Sequence, residues 1–204
     1  MLIIIVIYIP NILLTVLNRI FLKKQKKTIK EMDADPTPHD LQRKLYFLVE
    51  QLQQMASTLP PKYQMRLPYE LLSGLANSLL NDTIFEIVKG LMEIQHVTEK
   101  HLFQQRLQLL NLHKIEVQET MSTLNTEEDR LSSRDVLDKK HREELKSTDM
   151  ELVLQLDQKV SEQQRILEKA GVPGFYVTAN PVEIQVQMRL CDFIIRLSKM
   201  DIPR

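Results

Sequence analysis

The chain has 204 residues, 43% of them hydrophobic, with 27 basic against 27 acidic side chains, four glycines, no tryptophan and one cysteine. The single Cys191 excludes an intrachain disulfide and points to a reducing compartment. Six of the basic residues and no acid fall in residues 1–30, so residues 31–204 are net negative, which argues against direct nucleic-acid binding, an affinity that comes from neutralising phosphates.

Leu2 to Leu22 reads LIIIVIYIPNILLTVLNRIFL and is followed by KKQKK. About 21 mostly apolar residues match the length of one membrane span, and the basic flank would hold the body in the cytoplasm. A cleaved signal peptide fits less well, because no charge precedes the apolar run and no small-residue cleavage site follows it. Two alternatives stand for residues 1–30: a membrane anchor, or an extension with no anchoring role. Without a membrane, KKQKK reads as a nuclear import patch. Residues 31–39, with Pro36 and Pro38, form a linker, and residues 40–200 form one helical coiled-coil domain.

A helix is predicted to begin near Asp40, since Leu41, Leu45, Leu48, Leu52, Met55 and Leu59 repeat at the 4-3 spacing that keeps one face towards a partner helix. Pro60 and Pro61 end it. A smaller helix follows over roughly Tyr69–Leu80, closed by Asn81-Asp82. Thr83, three residues before Glu86, then reads as the cap of a new helix.

From Leu91 to Ala170 there is no Pro and no Gly. Within this stretch Phe103, Leu107, Leu110, Val117, Met121 and Leu124 follow the 4-3 repeat, and Val153, Leu156, Val160 and Leu167 do the same. The polar NTEEDRLSSRD between them carries caps at Thr126 and Ser133, so a bend is predicted near residues 125–135. The two long helices either fold back as an antiparallel hairpin or run on within a parallel dimer. A helix from Ile84 to Leu124 is about 60 Å long, too long to be covered by a compact domain.

Gly171 and Pro173 stop the second long helix, and a short extended elbow at 172–179 presents Phe175 and Tyr176. These aromatics either plug the core at the corner or dock a partner. Asn180-Pro181-Val182-Glu183 then starts a final helix with an apolar stripe at Val182, Val186, Leu190, Phe193, Ile194 and Leu197. The fold class is therefore all-α, an elongated helical bundle or coiled coil.

Catalytic and cofactor patterns fail on spacing. His96 and His101 are five residues apart, about 140° round a helix, whereas paired zinc ligands on a helix need four. Glu93-Ile-Gln-His96 has di-iron spacing but no second Glu-x-x-His accompanies it. The scattered glycines form no phosphate cradle. The expectation is no enzyme, no cofactor and no metal.

Four stretches are specific beyond their periodicity: LQRKLYFLVEQLQQM at 41–55, LPPKYQMRLPYELLSGLANSLLNDT at 59–83, FEIVKGLMEIQHVTEKHLFQQRLQL at 85–109 and LQLDQKVSEQQRILEKAGVPGFYVTANPVEIQVQM at 154–188. They resemble the family of the fly gonadal protein and the DiGeorge syndrome critical region protein over roughly residues 40–200. The resemblance implies a small, helical, non-enzymatic protein with coiled-coil character, found in nucleus and cytoplasm and associated with gonadal expression or neural crest development. It defines no catalytic or ligand residues. Members of the family begin with a short polar leader, from which Leu2–Leu22 departs.

The expected function is protein binding, to partners or to a second copy, through the coiled-coil seams. A membrane-anchored tether with a cytoplasmic body is the alternative if Leu2–Leu22 inserts.

Overall fold

A computed structural model describes residues 37–203, and the Leu2–Leu22 segment with its basic flank lies outside the described residues. Six helices and no strand occur among them: α1 (Pro38–Ser57), α2 (Pro61–Gln64), α3 (Tyr69–Ser78), α4 (Thr83–Thr123), α5 (Glu127–Lys169) and α6 (Pro181–Leu197). The fold is all-α. No described helix is long and apolar enough to cross a membrane. The chain divides into two compact units, residues 37–94 with 161–203 and residues 95–160.

In the first unit α1 starts two residues before the predicted Asp40, because Thr37 is its cap. The Thr37 hydroxyl accepts the Asp40 N–H at 3.2 Å and the Asp40 carboxylate accepts the Thr37 N–H at 3.2 Å, a reciprocal pair that satisfies two amides a free helix end would leave unpaired. Pro38 sits at the first turn, where a missing N–H costs nothing. The apolar stripe of α1 buries Leu48, Leu52 and Met55, with Leu45 and Leu59 packed at its edges and Leu41 left exposed at its start. Its main contacts are to α3 and α6 of the same chain.

Pro60 and Pro61 end α1 and begin the single turn α2, which places Tyr63 in the core with its hydroxyl donating to Gln185. The Arg66 guanidinium pairs with Glu183 beside it. α3 is shorter than predicted and ends at Ser78. Lys44 closes that corner by donating to the Leu80 carbonyl and pairing with Asp82 at 2.8 Å. Thr83 is the first residue of α4, one position further into the helix than the predicted cap, and the Asn81 side chain accepts its N–H at 3.1 Å. A two-residue reach suits Asn, whose short carbonyl mimics a backbone turn.

Leu48, Leu52, Leu75, Leu79, Val88, Leu167, Leu190, Ile194 and Leu197 are all fully buried in this unit. Each such side chain contributes roughly 1.5–3 kcal/mol by leaving water. Cys191 packs against this core, and burial pushes its thiol up to about 12, which leaves it protonated and unreactive.

The elbow after α5 has no strand. Gly171, at φ 71°, donates to the Glu168 carbonyl while Val172 donates to Leu167, the paired bonds that close a helix through a left-handed residue. Gly174, at φ 87°, has no room for a side chain, since a Cβ there would lie 2.8 Å from a Leu190 methyl. The two elbow aromatics part company: Phe175 is buried, whereas Tyr176 is exposed with its hydroxyl donating to Glu183 at 2.9 Å. Asn180 caps α6 by accepting the Val182 N–H at 2.9 Å.

Two buried glutamines hold this elbow and have no counterpart in the sequence-based expectations. Gln164 accepts the Thr178 N–H at 3.1 Å, donates to the Thr178 carbonyl at 3.2 Å and donates to the Gln187 side chain at 2.9 Å, while Gln187 donates to the Tyr176 carbonyl at 3.0 Å. An irregular segment has backbone groups that no helix satisfies, and side-chain amides with both a donor and an acceptor supply the partners.

Candidate functional site

The second unit, residues 95–160, is built from the carboxyl-terminal part of α4 and most of α5, joined by the turn at 124–126. The Arg130 guanidinium closes that turn by donating to the Leu124 carbonyl at 2.9 and 3.0 Å, and Thr126 caps α5 by accepting the Asp129 N–H at 3.2 Å. Glu127, Glu128 and Asp129 in the first turn favour the helix dipole. Ser133 lies inside α5 and caps nothing, so the reversal is tighter than the bend predicted over residues 125–135.

Cross-helix pairs show how the helices run. Arg106 grips Asp149 with two bonds of 2.8 and 3.2 Å, His113 Nε2 lies 2.9 Å from Glu144, and His141 Nε2 lies 2.9 Å from Glu116. Residue numbers rise along α4 as they fall along α5, so the unit is an antiparallel hairpin. That decides between the two arrangements the periodicity left open.

Leu102, His113, Leu137, His141 and Leu152 are buried along the contact between the helices. At its middle the seam is polar. The His113 and His141 rings stack with centroids 3.9 Å apart and planes 8° from parallel, and each ring reaches across to a glutamate of the other helix. Lys140 Nζ sits 2.6 Å from Glu116, and the hydrogen bonds from Lys140 and His141 pull the Glu116 carboxyl down to about 2. The same contact raises the Lys140 ammonium above its ordinary value. Every polar group of this layer meets a partner only at one register, because a slip would bury the imidazoles against apolar side chains.

This layer carries a sequence signal of its own: His113-Lys-Ile-Glu116 and His141-Arg-Glu-Glu144 repeat the spacing His-x-x-Glu on the two helices. It is the reverse of the Glu-x-x-His spacing of di-iron bundles. Among the described residues no three His, Cys, Asp or Glu side chains are placed to share a metal ion, and the Nε2 of each of these two histidines faces a carboxylate of the other helix. His96 is exposed and His101 Nε2 lies 3.0 Å from the Gln105 amide.

The residues expected to carry interactions divide among three environments. Phe103, Leu107 and Val153 are 60%, 41% and 54% exposed, so they face away from the seam, which runs one residue earlier through Leu102 and Leu152. Leu110, Val117, Met121, Leu124, Leu156 and Val160 are half-buried. Leu167 and Phe175 belong to the core of the first unit, and Tyr176 lies on its surface.

Phe103 and Val153, the outward residues at helical spacing from the Arg106–Asp149 pair, share one face of the hairpin with the half-buried Leu110 and Leu145. Phe103 and Leu110 stand three and four residues from Arg106, and Leu145 and Val153 stand four residues either side of Asp149. Residues at that spacing share a helix face, and the Arg106–Asp149 pair ties the two faces side by side. A shallow groove of about 610 Å³ runs along the α5 part, lined by Leu145, Met150, Val153 and Leu154 with Arg142 and Lys146 at its rim.

The sequence pattern of the DiGeorge syndrome critical region 6 (DGCR6) protein family matches residues 24–203. The chain is 52% identical over 165 residues to Gonadal protein gdl of Drosophila melanogaster, covering 81% of this chain and 85% of that protein. It is 41% identical over 175 residues to Protein DGCR6 of Gallus gallus, covering 78% of this chain and 86% of that protein. No solved structure matches the chain. On this similarity, which takes in both long helices and the elbow between α5 and α6, the chain belongs to the DiGeorge syndrome critical region 6 protein family.

Proposed function

We propose that the chain is a non-enzymatic protein-interaction adaptor that engages protein partners through the outward face of its hairpin. The observation that carries this reading is the apolar stripe of Phe103, Leu107, Met150, Val153 and Leu154, exposed on helices whose inner faces are already occupied. A contiguous apolar patch left on a surface costs solubility, and such patches mark interaction sites. A helix face presenting anchors at i, i+4 and i+7 fits binding to other helices. The name of the fly relative ties that protein to the gonad, and the proposal extends a gonadal or developmental setting to this chain, acting in nucleus and cytoplasm.

Proximity labelling of the endogenous protein, compared with a Phe103→Glu, Val153→Glu variant at equal abundance, tests the reading. Partners and compartment are reported together. The adaptor function predicts a set of labelled proteins that the variant loses, and an unchanged set would reject the face as the binding surface.

A further inference from the structure

The charges that frame the hairpin face are ordered. On α4, counting from Arg106, Glu99 lies seven residues towards the amino terminus and Lys114 eight residues towards the carboxyl terminus. On α5, counting from Asp149, Arg142 lies seven residues before and Asp157 eight residues after. Because the helices are antiparallel, Lys114 and Arg142 stand together at the turn end of the face, and Glu99 and Asp157 stand together at the other end. All four are exposed. Between them lie Phe103, Leu107, Met150 and Val153, exposed and apolar, and the exposed Lys146, with the Arg106–Asp149 pair at the midpoint.

We infer that this face binds a second copy of the chain, face to face and antiparallel, about a two-fold axis that crosses the helices at Arg106 and Asp149. The inference rests on the reading of the face as a protein-binding surface. A two-fold axis at that midpoint carries each residue to the same distance on the other side. Lys114 of one copy then meets Glu99 of the other, and Arg142 meets Asp157, each about 10–12 Å from the axis. The alternative two-fold, parallel to the helices, stacks Lys114 on Arg142 and Glu99 on Asp157. Like charges placed across an interface repel, so the charge order selects one arrangement and rejects the other.

The framed patch is about 22 Å long and two helices wide, on the order of 450 Å² per copy. That lies at the small end of specific interfaces, so the dimer is expected to dissociate in the micromolar range.

Sedimentation equilibrium of the full-length chain from about 1 to about 100 µM tests this, with circular dichroism confirming that each variant is folded. The expected result is a monomer–dimer equilibrium that Val153→Glu weakens by tenfold or more. Glu99→Lys weakens it by about tenfold, since the two-fold repeats each lost ion pair. Glu99→Lys combined with Lys114→Glu restores it. Residues 1–36 are the same in every variant, so association through the apolar amino-terminal segment would not follow this pattern. A monomer throughout the range overturns the inference, a dimer indifferent to Val153→Glu overturns the face, and a charge swap that fails to restore affinity overturns the antiparallel arrangement. If the chain is monomeric and the Phe103→Glu, Val153→Glu variant still loses its labelled partners, the second copy is ruled out and the adaptor reading stands.

Discussion

His113 of α4 and His141 of α5 stack ring on ring at 3.9 Å in the seam of an antiparallel hairpin, each held by a glutamate from the opposite helix. Both rings are buried, so each is fixed by packing as well as by its hydrogen bond. Replacing His141 with Ala removes the stack, opens a small gap and frees one bond of Glu116. A loss of about 1–3 kcal/mol is expected in urea unfolding. The substitutions His113→Ala and His141→Ala should couple, the double variant losing about 0.5–3 kcal/mol less than the two singles together, because the second substitution has no stack left to remove.

The same layer makes stability depend on acid. Glu116 has its carboxyl lowered from 4.5 to about 2, first by Lys140 and then by His141. A depressed carboxylate contributes stability that is fully present above its unfolded value and is lost as the folded form is protonated. The urea midpoint is therefore expected to fall as pH drops from about 4.5 to about 2. Glu116→Gln should lower the midpoint at neutral pH and flatten that part of the profile.

Gly171 and Gly174 lie three residues apart with similar positive φ, yet they should respond differently to alanine. At Gly171 a methyl group meets nothing within 4 Å, and only the left-handed backbone opposes it. About 1 kcal/mol is expected for Gly171→Ala. At Gly174 the methyl also runs into Leu190 and Leu71 of the packed core, at 2.8 and 3.2 Å. Gly174→Ala should cost roughly 2–4 kcal/mol, visible as a larger drop in Tm.

Gln164→Leu keeps the bulk of the side chain but strips the elbow of its partner. The Thr178 N–H loses its acceptor in a part-buried setting and the Gln187 oxygen its donor in a buried one. A loss of about 2–4 kcal/mol is expected. Amide exchange at Thr178 should accelerate by more than at helical amides of α6, which keep their own hydrogen bonds.

The helices were legible in the sequence because their causes are local. Eighty residues without Pro or Gly, the Pro60-Pro61 break, the left-handed Gly171 and the Asn180-Pro181 start each act within one or two turns, and each produced the element expected. The family was legible for a similar reason, since it rests on runs of identity and not on packing.

What the sequence by itself determined is thus the all-α class, most helix ends to within a few residues, and an α4 with apolar residues on two faces, of which periodicity alone picked out the Phe103 repeat. Only the tertiary structure decided which stripe turns inward. Leu102 with Leu109 and Phe103 with Leu110 have the same spacing and differ by one position, about 100° round the helix. Either could have packed on α5, since burial of apolar surface has no direction of its own. The choice is made by directional bonds between residues far apart in the chain, Arg106 to Asp149, His113 to Glu144 and His141 to Glu116. These bonds form in one register only, and that register turns Phe103, Leu107 and Val153 outward.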